Sequence, residues 1–193
     1  GIVLSVDNYV SSDYTKFYDR EEQAVFADYL IVMAYDEHYA GSKESGSVAS
    51  IGFVTKGADD ILAEGVPAEQ VILGMPFYTR VWSEKMKDGN GDDAESASED
   101  YIPYELSSEA VGMLSAQRLM EVNGAEKTWL DNMGQYYTEY VNNDVTYKIW
   151  FEDVKSIEEK LKVMKSHEFA GASFWKLGLE DPAVWNTIIK YIH

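Results

Sequence analysis

Cysteine is absent from this chain of 193 residues, and basic residues are few. Without cysteine, the chain holds no disulfide bond and no zinc–thiolate site. Lysine and arginine number 16 against 34 aspartates and glutamates, and the formal charge of −18 argues against binding nucleic acid or an anionic membrane surface. No apolar run reaches the roughly 18 residues that a membrane-spanning helix needs. The composition, 46% hydrophobic, is nevertheless sufficient for one substantial core.

What the chain does have is a set of apolar runs, over 29–34, 71–76 and 170–174, that lead into polar or aromatic residues. Runs of this kind are typical of strands buried on both faces of a parallel sheet. The side chains that follow them are Tyr35 and Asp36, Tyr78 and Arg80, and Trp175. Because α/β barrels keep their chemistry at the carboxyl ends of the strands, the pattern predicts a polar and aromatic cleft at one rim. Such a cleft suits a sugar ring.

Alternating strands and helices predict an α/β fold with a parallel sheet and four strand–helix units. The predicted strands cover 2–6, 29–34, 71–75 and 170–175, and the predicted helices cover 18–28, 48–63, 153–167 and 182–192. A complete eight-stranded barrel needs about 250 residues, so these units predict half of a TIM (β/α)8 barrel.

Residues 82–150 interrupt this pattern, and we interpret them as a small α+β insertion subdomain after the third strand. The segment contains a predicted helix over 107–123 and predicted strands over 127–130, 135–141 and 146–151. Asn142, Asn143 and Asp144 separate the last two strands and are typical of a β-hairpin turn. The predicted domains are 1–81 for the first part of the half barrel, 82–150 for the insertion, and 151–193 for the last helix–strand–helix.

An acidic loop inside the insertion has the spacing of a calcium-binding loop. Asp88, Asn90, Asp92 and Glu99 occupy positions one, three, five and twelve, but the sixth position holds Asp93 instead of glycine. No flanking pair of helices is predicted. We therefore favour a flexible acidic loop over a calcium site, and we expect no metal and no cofactor.

Three motifs, in order along the chain, resemble those of glycoside hydrolase family 18, the chitinase-like enzymes. The resemblance is strongest to bacterial members that act on peptidoglycan or spore cortex, and it covers essentially the whole chain. Met-Ala-Tyr-Asp at 33–36 resembles the family's Met-x-Tyr-Asp motif on the sixth barrel strand. Gly-Met-Pro-Phe-Tyr-Thr-Arg at 74–80 resembles Gly-x-Pro-x-Tyr-Gly-Arg on the seventh, with Thr79 replacing the usual glycine. Gly-Ala-Ser-Phe-Trp at 171–175 resembles the eighth strand, and 82–150 has the position of the chitinase insertion domain.

One family motif is missing. The catalytic signature Asp-x-x-Asp-x-Asp-x-Glu of the fourth strand does not occur in the 193 residues, and its strand would lie just before Gly1. The chain also opens directly on a predicted strand without a signal peptide. We therefore expect a segment of a longer protein whose proton donor lies outside this chain, and we expect the isolated chain to be inactive.

The resemblance implies hydrolysis of an N-acetylglucosamine-containing polysaccharide by substrate-assisted, retaining catalysis. It implies that Tyr35 donates a hydrogen bond to the acetamido oxygen of the substrate and that Asp36 lies beside it. Trp175 is expected to stack under the sugar, and Tyr78 and Arg80 are expected to bind neighbouring hydroxyl or carboxylate groups.

Each of these residues also has a simpler interpretation. For Met33, the last member of the expected substrate-binding set, core packing is favoured over ligand contact. Arg80 is also compatible with an ion pair to a carboxylate of the insertion, and the Tyr35-Asp36 pair with a capped strand end. His38 follows the same motif and is interpreted as a solvated loop residue. Trp82, Trp129 and Trp150 are expected to pack inside the insertion rather than to bind sugar.

Two further hypotheses stay open. The first is a non-catalytic, lectin-like protein of the same fold that binds chitooligosaccharide or cell wall. The second is self-association, because a half barrel exposes the edges of its first and last strands. The expected location is extracellular, at the cell wall or spore surface, and follows only from the substrate class. The sequence does not decide between chitin and peptidoglycan, or between exo and endo cleavage.

Overall fold

The computed structural model describes residues 1–7, 18–87 and 103–192. Four strands form a parallel sheet: β1 (Val3–Asp7), β2 (Tyr29–Met33), β3 (Val71–Pro76) and β9 (Gly171–Trp175). Their spatial order is β1-β2-β3-β9, and every neighbouring pair is parallel. The predicted α/β class and the four parallel strands are thereby confirmed.

Four helices accompany this sheet within the predicted ranges: α1 (Arg20–Phe26), α2 (Ile51–Ala63), α4 (Val154–Ser166) and α5 (Val184–Ile188). A 3-10 turn, Ala68–Gln70, leads into β3. The side chains of Asp19, Ser50 and Asp153 each accept a hydrogen bond from a backbone N–H of the helix that follows. These caps satisfy N–H groups of the first turn, which explains why the helices begin later than predicted.

The two faces of the parallel sheet differ in burial, contrary to the prediction that both are buried. Leu30, Val32 and Leu73 are fully buried in the main core, together with residues of α2, α4 and α5. Each such aliphatic side chain contributes about 1.5–3 kcal/mol relative to an exposed one. The alternate residues Ile31 and Met33 are only partly buried, because the described helices pack against the other face.

A second, five-stranded antiparallel sheet follows β3 directly in the chain. Its strands are β4 (Tyr78–Met86), β5 (Tyr104–Gly112), β6 (Thr128–Leu130), β7 (Gln135–Asn142) and β8 (Val145–Trp150), in the order β5-β4-β8-β7-β6. Helix α3 (Met113–Val122) packs on it through Ala116 and Met120. The predicted hairpin between β7 and β8 is confirmed, with Asn143 and Asp144 in left-handed conformations.

The predicted helix over 107–123 is wrong in its first third. Ser107–Gly112 belong to β5 and pair with β4, and the helix begins only at Met113. Pairing with a neighbouring strand overrides the local pattern here, because strand propensity depends strongly on context. The second correction concerns β4, which extends to Met86, whereas a loop was predicted to begin at Glu84. The predicted calcium-like loop lies outside the described residues.

In the described part of the chain, no helix combines the length and apolar character needed to cross a membrane.

Candidate active site

The predicted site residues lie where the carboxyl ends of the parallel strands meet the antiparallel sheet. Asp36 follows β2, Tyr78 begins β4 two residues after β3, and Trp175 ends β9. The Tyr78 hydroxyl donates a hydrogen bond of 2.5 Å to Asp36 Oδ1. The ring of Tyr35 meets that of Tyr78 edge to face, with centroids 6.3 Å apart. The structure thus brings Tyr35, Asp36 and Tyr78 into one cluster.

Local backbone geometry explains how Tyr35 and Asp36 are positioned at the end of β2. Asp36 has φ 63°, a left-handed conformation that aspartate tolerates better than most residues. Gly74 lies beside the end of β2, where a Cβ atom would stand 2.7 Å from the carbonyl oxygen of Val32 and 3.4 Å from the Tyr35 ring. The glycine of the second motif therefore allows β2 and β3 to approach closely enough for Tyr35 to occupy its position.

The two tyrosines stay neutral over the physiological range. Burial raises the pKa of Tyr35, and the negative charge of Asp36 raises it further. Burial likewise raises the pKa of Tyr78 well above its ordinary value, with added contributions from its hydrogen bond to Asp36 and from that charge. Within the described ranges the Tyr35 hydroxyl has no hydrogen-bond partner, so it is a free neutral donor next to a carboxylate.

Trp175 is the last residue of β9, with 57% of its surface exposed. The preceding Phe174 stacks on Phe77 at 4.7 Å between centroids and contacts Trp185 edge to face. The Phe77 N–H donates to the Trp175 carbonyl oxygen at 2.7 Å. These contacts hold the backbone of Trp175 and the neighbouring Phe174 in place, while the Trp175 ring stays exposed.

Arg80 lies on β4 two residues beyond Tyr78, with its Nη1 donating to Ser108 Oγ at 2.9 Å. Its Nε is buried and has no hydrogen-bond partner among the described residues. Arg80 therefore binds a hydroxyl group, and it forms no ion pair with a carboxylate among the described residues. Met33 ends β2 and is half-buried beside Gly74, on the partly exposed face of the sheet.

The loop after Asp36 contains residues that sequence reasoning missed. The Glu37 carboxylate accepts hydrogen bonds from the Ser50 amide at 2.7 Å and the Ser50 hydroxyl at 2.9 Å, at the start of α2. His38, interpreted from the sequence as a solvated loop residue, is partly buried, and its Nδ1 lies 2.9 Å from the Ser47 carbonyl oxygen. The available signal was the serine before the helical pattern, which marks a helix N-cap.

Trp82 is fully buried and donates from its indole to the Gly46 carbonyl oxygen at 2.8 Å. The packing interpretation of this tryptophan is therefore confirmed. Across the described residues, no group of three or more histidine, aspartate or glutamate side chains is arranged to hold a metal ion.

Comparisons with known proteins agree with this geometry. The family model described as glycosyl hydrolases family 18 matches residues 3–180. The cortical fragment-lytic enzyme of Bacillus anthracis is 23% identical over 173 residues, which cover 90% of this chain and 36% of that protein. Chitinase A1 of Niallia circulans is 27% identical over 192 residues, covering 91% and 27% respectively. The chain thus spans about a third of the length of these relatives.

A solved chitinase from Chromobacterium violaceum superimposes with a TM-score of 0.78 at 22% identity, over 98% of this chain and 55% of that one. At this identity the likeness bears on the fold alone. The family match covers most of the chain and includes Tyr35, Asp36, Tyr78 and Trp175. The chain therefore belongs to glycosyl hydrolases family 18, as its motifs predicted.

Proposed function

We propose that this chain is the substrate-binding, C-terminal half of a glycoside hydrolase barrel that cleaves a polysaccharide containing N-acetylglucosamine. The observation that carries the proposal is the arrangement at the strand ends: the neutral Tyr35 lies beside Asp36, whose carboxylate accepts from Tyr78, and the exposed Trp175 ends a strand of the same sheet. Relatives named chitinase and cortical fragment-lytic enzyme favour the same substrate class.

The proposed reaction is substrate-assisted. A glutamic acid from another strand protonates the glycosidic oxygen as the bond from that oxygen to the anomeric carbon breaks. The acetamido oxygen of the substrate then bonds to the anomeric carbon and forms an oxazolinium ion. Water opens this ring with retention of configuration and returns a proton to the glutamate.

The residues of this chain hold the acetamide during that sequence. The Tyr35 hydroxyl donates to the acetamido oxygen, which orients it toward the anomeric carbon. Asp36 keeps lone pairs free beyond the one that Tyr78 uses, and these accept the acetamide N–H or a sugar hydroxyl. Trp175 stacks against the C–H face of the sugar. With 57% of its surface exposed, Trp175 is accessible to a sugar.

The half-barrel part of the proposal is supported by the exposure of one sheet face. Met33 and Ile31 are partly exposed, although the interior of a closed barrel is filled with packed side chains. Four more strands, including the one with the proton donor, would cover that face. The action of such an enzyme on chitin, peptidoglycan or spore cortex places it outside the cell, at the wall or spore surface.

Arg80 is proposed to select among these substrates. Its guanidinium can bind the lactyl carboxylate of muramic acid, which chitin lacks. Replacing Arg80 with methionine is then expected to weaken binding of a peptidoglycan tetrasaccharide by about tenfold and to leave chitotetraose unchanged. Equal losses for both ligands contradict this assignment.

The proposed function is tested by titrating the chain with chitotetraose and with cellotetraose, which has the same backbone without acetamido groups. Tyr35→Phe removes one hydroxyl and is expected to weaken chitotetraose binding about fivefold to tenfold. The control is Tyr140→Phe, because Tyr140 stacks on Tyr147 in the antiparallel sheet, away from the strand ends. Wild-type binding of cellotetraose as strong as that of chitotetraose contradicts acetamide recognition.

The non-catalytic alternative predicts the same binding without cleavage. It differs from the hydrolase only in whether the parent protein retains the glutamate of Asp-x-x-Asp-x-Asp-x-Glu. The sequence of the parent protein at the strand with the proton donor distinguishes the hydrolase from the non-catalytic binding protein.

A further inference from the structure

A buried line of polar side chains connects helix α4 to the loop that follows Asp36. At its far end, Lys160 Nζ lies 3.0 Å from both carboxylate oxygens of Glu152, and both side chains are almost completely buried. The Ser156 hydroxyl donates to Glu152 at 2.7 Å. Burial raises the pKa of Glu152, while Lys160 and Ser156 act in the opposite direction. A buried pair of this kind adds little net stability but is costly to break.

Gln135 carries the line across to the loop. Its Nε2 donates to Glu152 Oε1 at 2.7 Å, and its Oε1 accepts from the Ser47 hydroxyl at 2.5 Å. Gln135 and Ser47 are both fully buried. The carboxylate of Glu152 can only accept, so it determines which end of the Gln135 amide points toward Ser47. The orientation of the Ser47 hydroxyl therefore depends on the Glu152 carboxylate, through Gln135.

Ser47 in turn determines the course of the chain next to Asp36. Its carbonyl oxygen accepts from the His38 amide at 3.1 Å and lies 2.9 Å from His38 Nδ1. The Glu37 amide donates to the Val48 carbonyl oxygen at 2.8 Å. The two residues after Asp36 are thus paired with Ser47 and its neighbour, which closes the base of the loop.

Asp36 needs such support because its left-handed conformation is unfavourable for a residue with a Cβ atom. A residue in this conformation persists only where its surroundings determine it. The Tyr78 hydroxyl supplies one constraint, from the side chain, and the paired loop base supplies the other, from the backbone.

We propose that Ser47, Gln135 and Glu152 are positioning residues that hold Asp36 in hydrogen-bonding contact with Tyr78. They touch no substrate, and they act through the base of the loop 37–48. Their effect on sugar binding rests on the proposed function, whereas their effect on the contact between Asp36 and Tyr78 does not.

The test compares two variants of the network with a matched control. Ser47→Ala removes one hydroxyl, and Gln135→Met removes both hydrogen bonds at nearly constant side-chain volume. The control is Thr138→Val, which removes a buried hydrogen bond of 2.7 Å to the Glu126 carbonyl oxygen on the opposite face of the same strand. Urea denaturation of all three first establishes how far each is destabilised.

The first readout needs no sugar. The 13Cζ resonance of Tyr78 reports its hydrogen bond, and Asp36→Ala provides the reference for the broken state. In Ser47→Ala and Gln135→Met the resonance is expected to move toward that reference, and amide exchange of Glu37 and His38 is expected to rise about tenfold. Thr138→Val is expected to keep the wild-type resonance. Wild-type values in both network variants overturn the proposal.

The second readout is chitotetraose affinity, expected to fall about fivefold in both network variants and to stay constant in Thr138→Val. A moved Tyr78 resonance with unchanged affinity overturns the positioning role in binding. If wild-type protein fails to bind chitotetraose, the proposed function fails, and the Tyr78 resonance alone decides whether the network positions Asp36.

Discussion

At the scale of single residues, the site depends on two tyrosines that are donors because they are hard to ionise. Burial and the charge of Asp36 both raise the pKa values of Tyr35 and Tyr78. A neutral phenol next to a carboxylate can donate to a neutral amide oxygen without adding charge to the site. The same environment makes the folded state sensitive to alkaline pH.

In the unfolded chain these tyrosines ionise near the ordinary value of about 10. Because their folded pKa values are higher, the stabilisation they provide is complete below about pH 10 and is lost as the pH rises further. Tyr78→Phe removes one of the two groups. We expect the unfolding free energy of the wild type to fall more steeply above pH 10 than that of the variant, as measured by urea denaturation from pH 8 to 11. Parallel slopes contradict the assignment for Tyr78.

Gly74 gives a second prediction at this scale. A Cβ atom at Gly74 would lie 2.7 Å from backbone, whereas at Gly171, also a strand glycine, nothing lies within 4 Å. Gly74→Ala is therefore expected to lower the unfolding free energy by about 1–3 kcal/mol. Gly171→Ala is the matched control and is expected to stay near or above wild type, because alanine lowers the entropy of the unfolded chain. Equal effects on the midpoint in urea argue against a close approach of β2 and β3.

At the scale of elements, helix α4 ends in a motif that usually contains glycine, but this chain has a glutamate there. The Phe169 amide donates to the Met164 carbonyl oxygen and the Glu168 amide to that of Lys165, which is a Schellman ending. Glu168 occupies the left-handed position of this motif, with φ 56°, where glycine is usual.

Glu168→Gly is expected to raise the unfolding free energy by about 0.5–1 kcal/mol, because glycine has no steric penalty in this conformation. The control is Glu159→Gly in the middle of α4, where glycine is expected to cost about 1 kcal/mol. Thermal denaturation of both variants checks the prediction. A loss of stability in Glu168→Gly similar to that in Glu159→Gly contradicts it.

The elements that were predictable are those whose own residues determine them. The parallel strands are apolar runs, helices α1, α2 and α4 have polar caps, and the β7–β8 hairpin has Asn-Asp at its turn. Strands β4 and β5 were not predicted, because their residues are mixed in polarity. They are stabilised by pairing with each other and by contacts such as that of Lys148 with Glu84 at 2.8 Å. The candidate site residues were predicted from motifs. The hydrogen-bonded line of Ser47, Gln135 and Glu152 has no local sequence signal, because Ser47 and Gln135 are 88 positions apart and Gln135 and Glu152 are 17 apart.

At the scale of the whole molecule, the parallel sheet has two ends that the described residues leave unpaired. Strand β1 pairs only with β2, and β9 only with β3, within the described part of the chain. Val3 in β1, Ile2 just before it and Leu177 just after β9 are exposed apolar residues. Unpaired strand edges with exposed apolar side chains favour pairing with another chain.

We therefore expect the isolated chain to self-associate through these edges. The charge of −18 opposes association at low ionic strength, so raising the salt concentration is expected to increase the mass measured by light scattering. A monodisperse monomer at high protein concentration, in low and high salt alike, contradicts this expectation.

The central claim is that this chain is the acetamide-binding half of a hydrolase barrel. The most direct test is to read the coding sequence for about 150 residues before Gly1, roughly the length of the proposed N-terminal half barrel. The account predicts a strand there that ends in Asp-x-x-Asp-x-Asp-x-Glu, whereas the same strand with its glutamate replaced favours the non-catalytic sugar-binding protein. The absence of any such strand would contradict the claim.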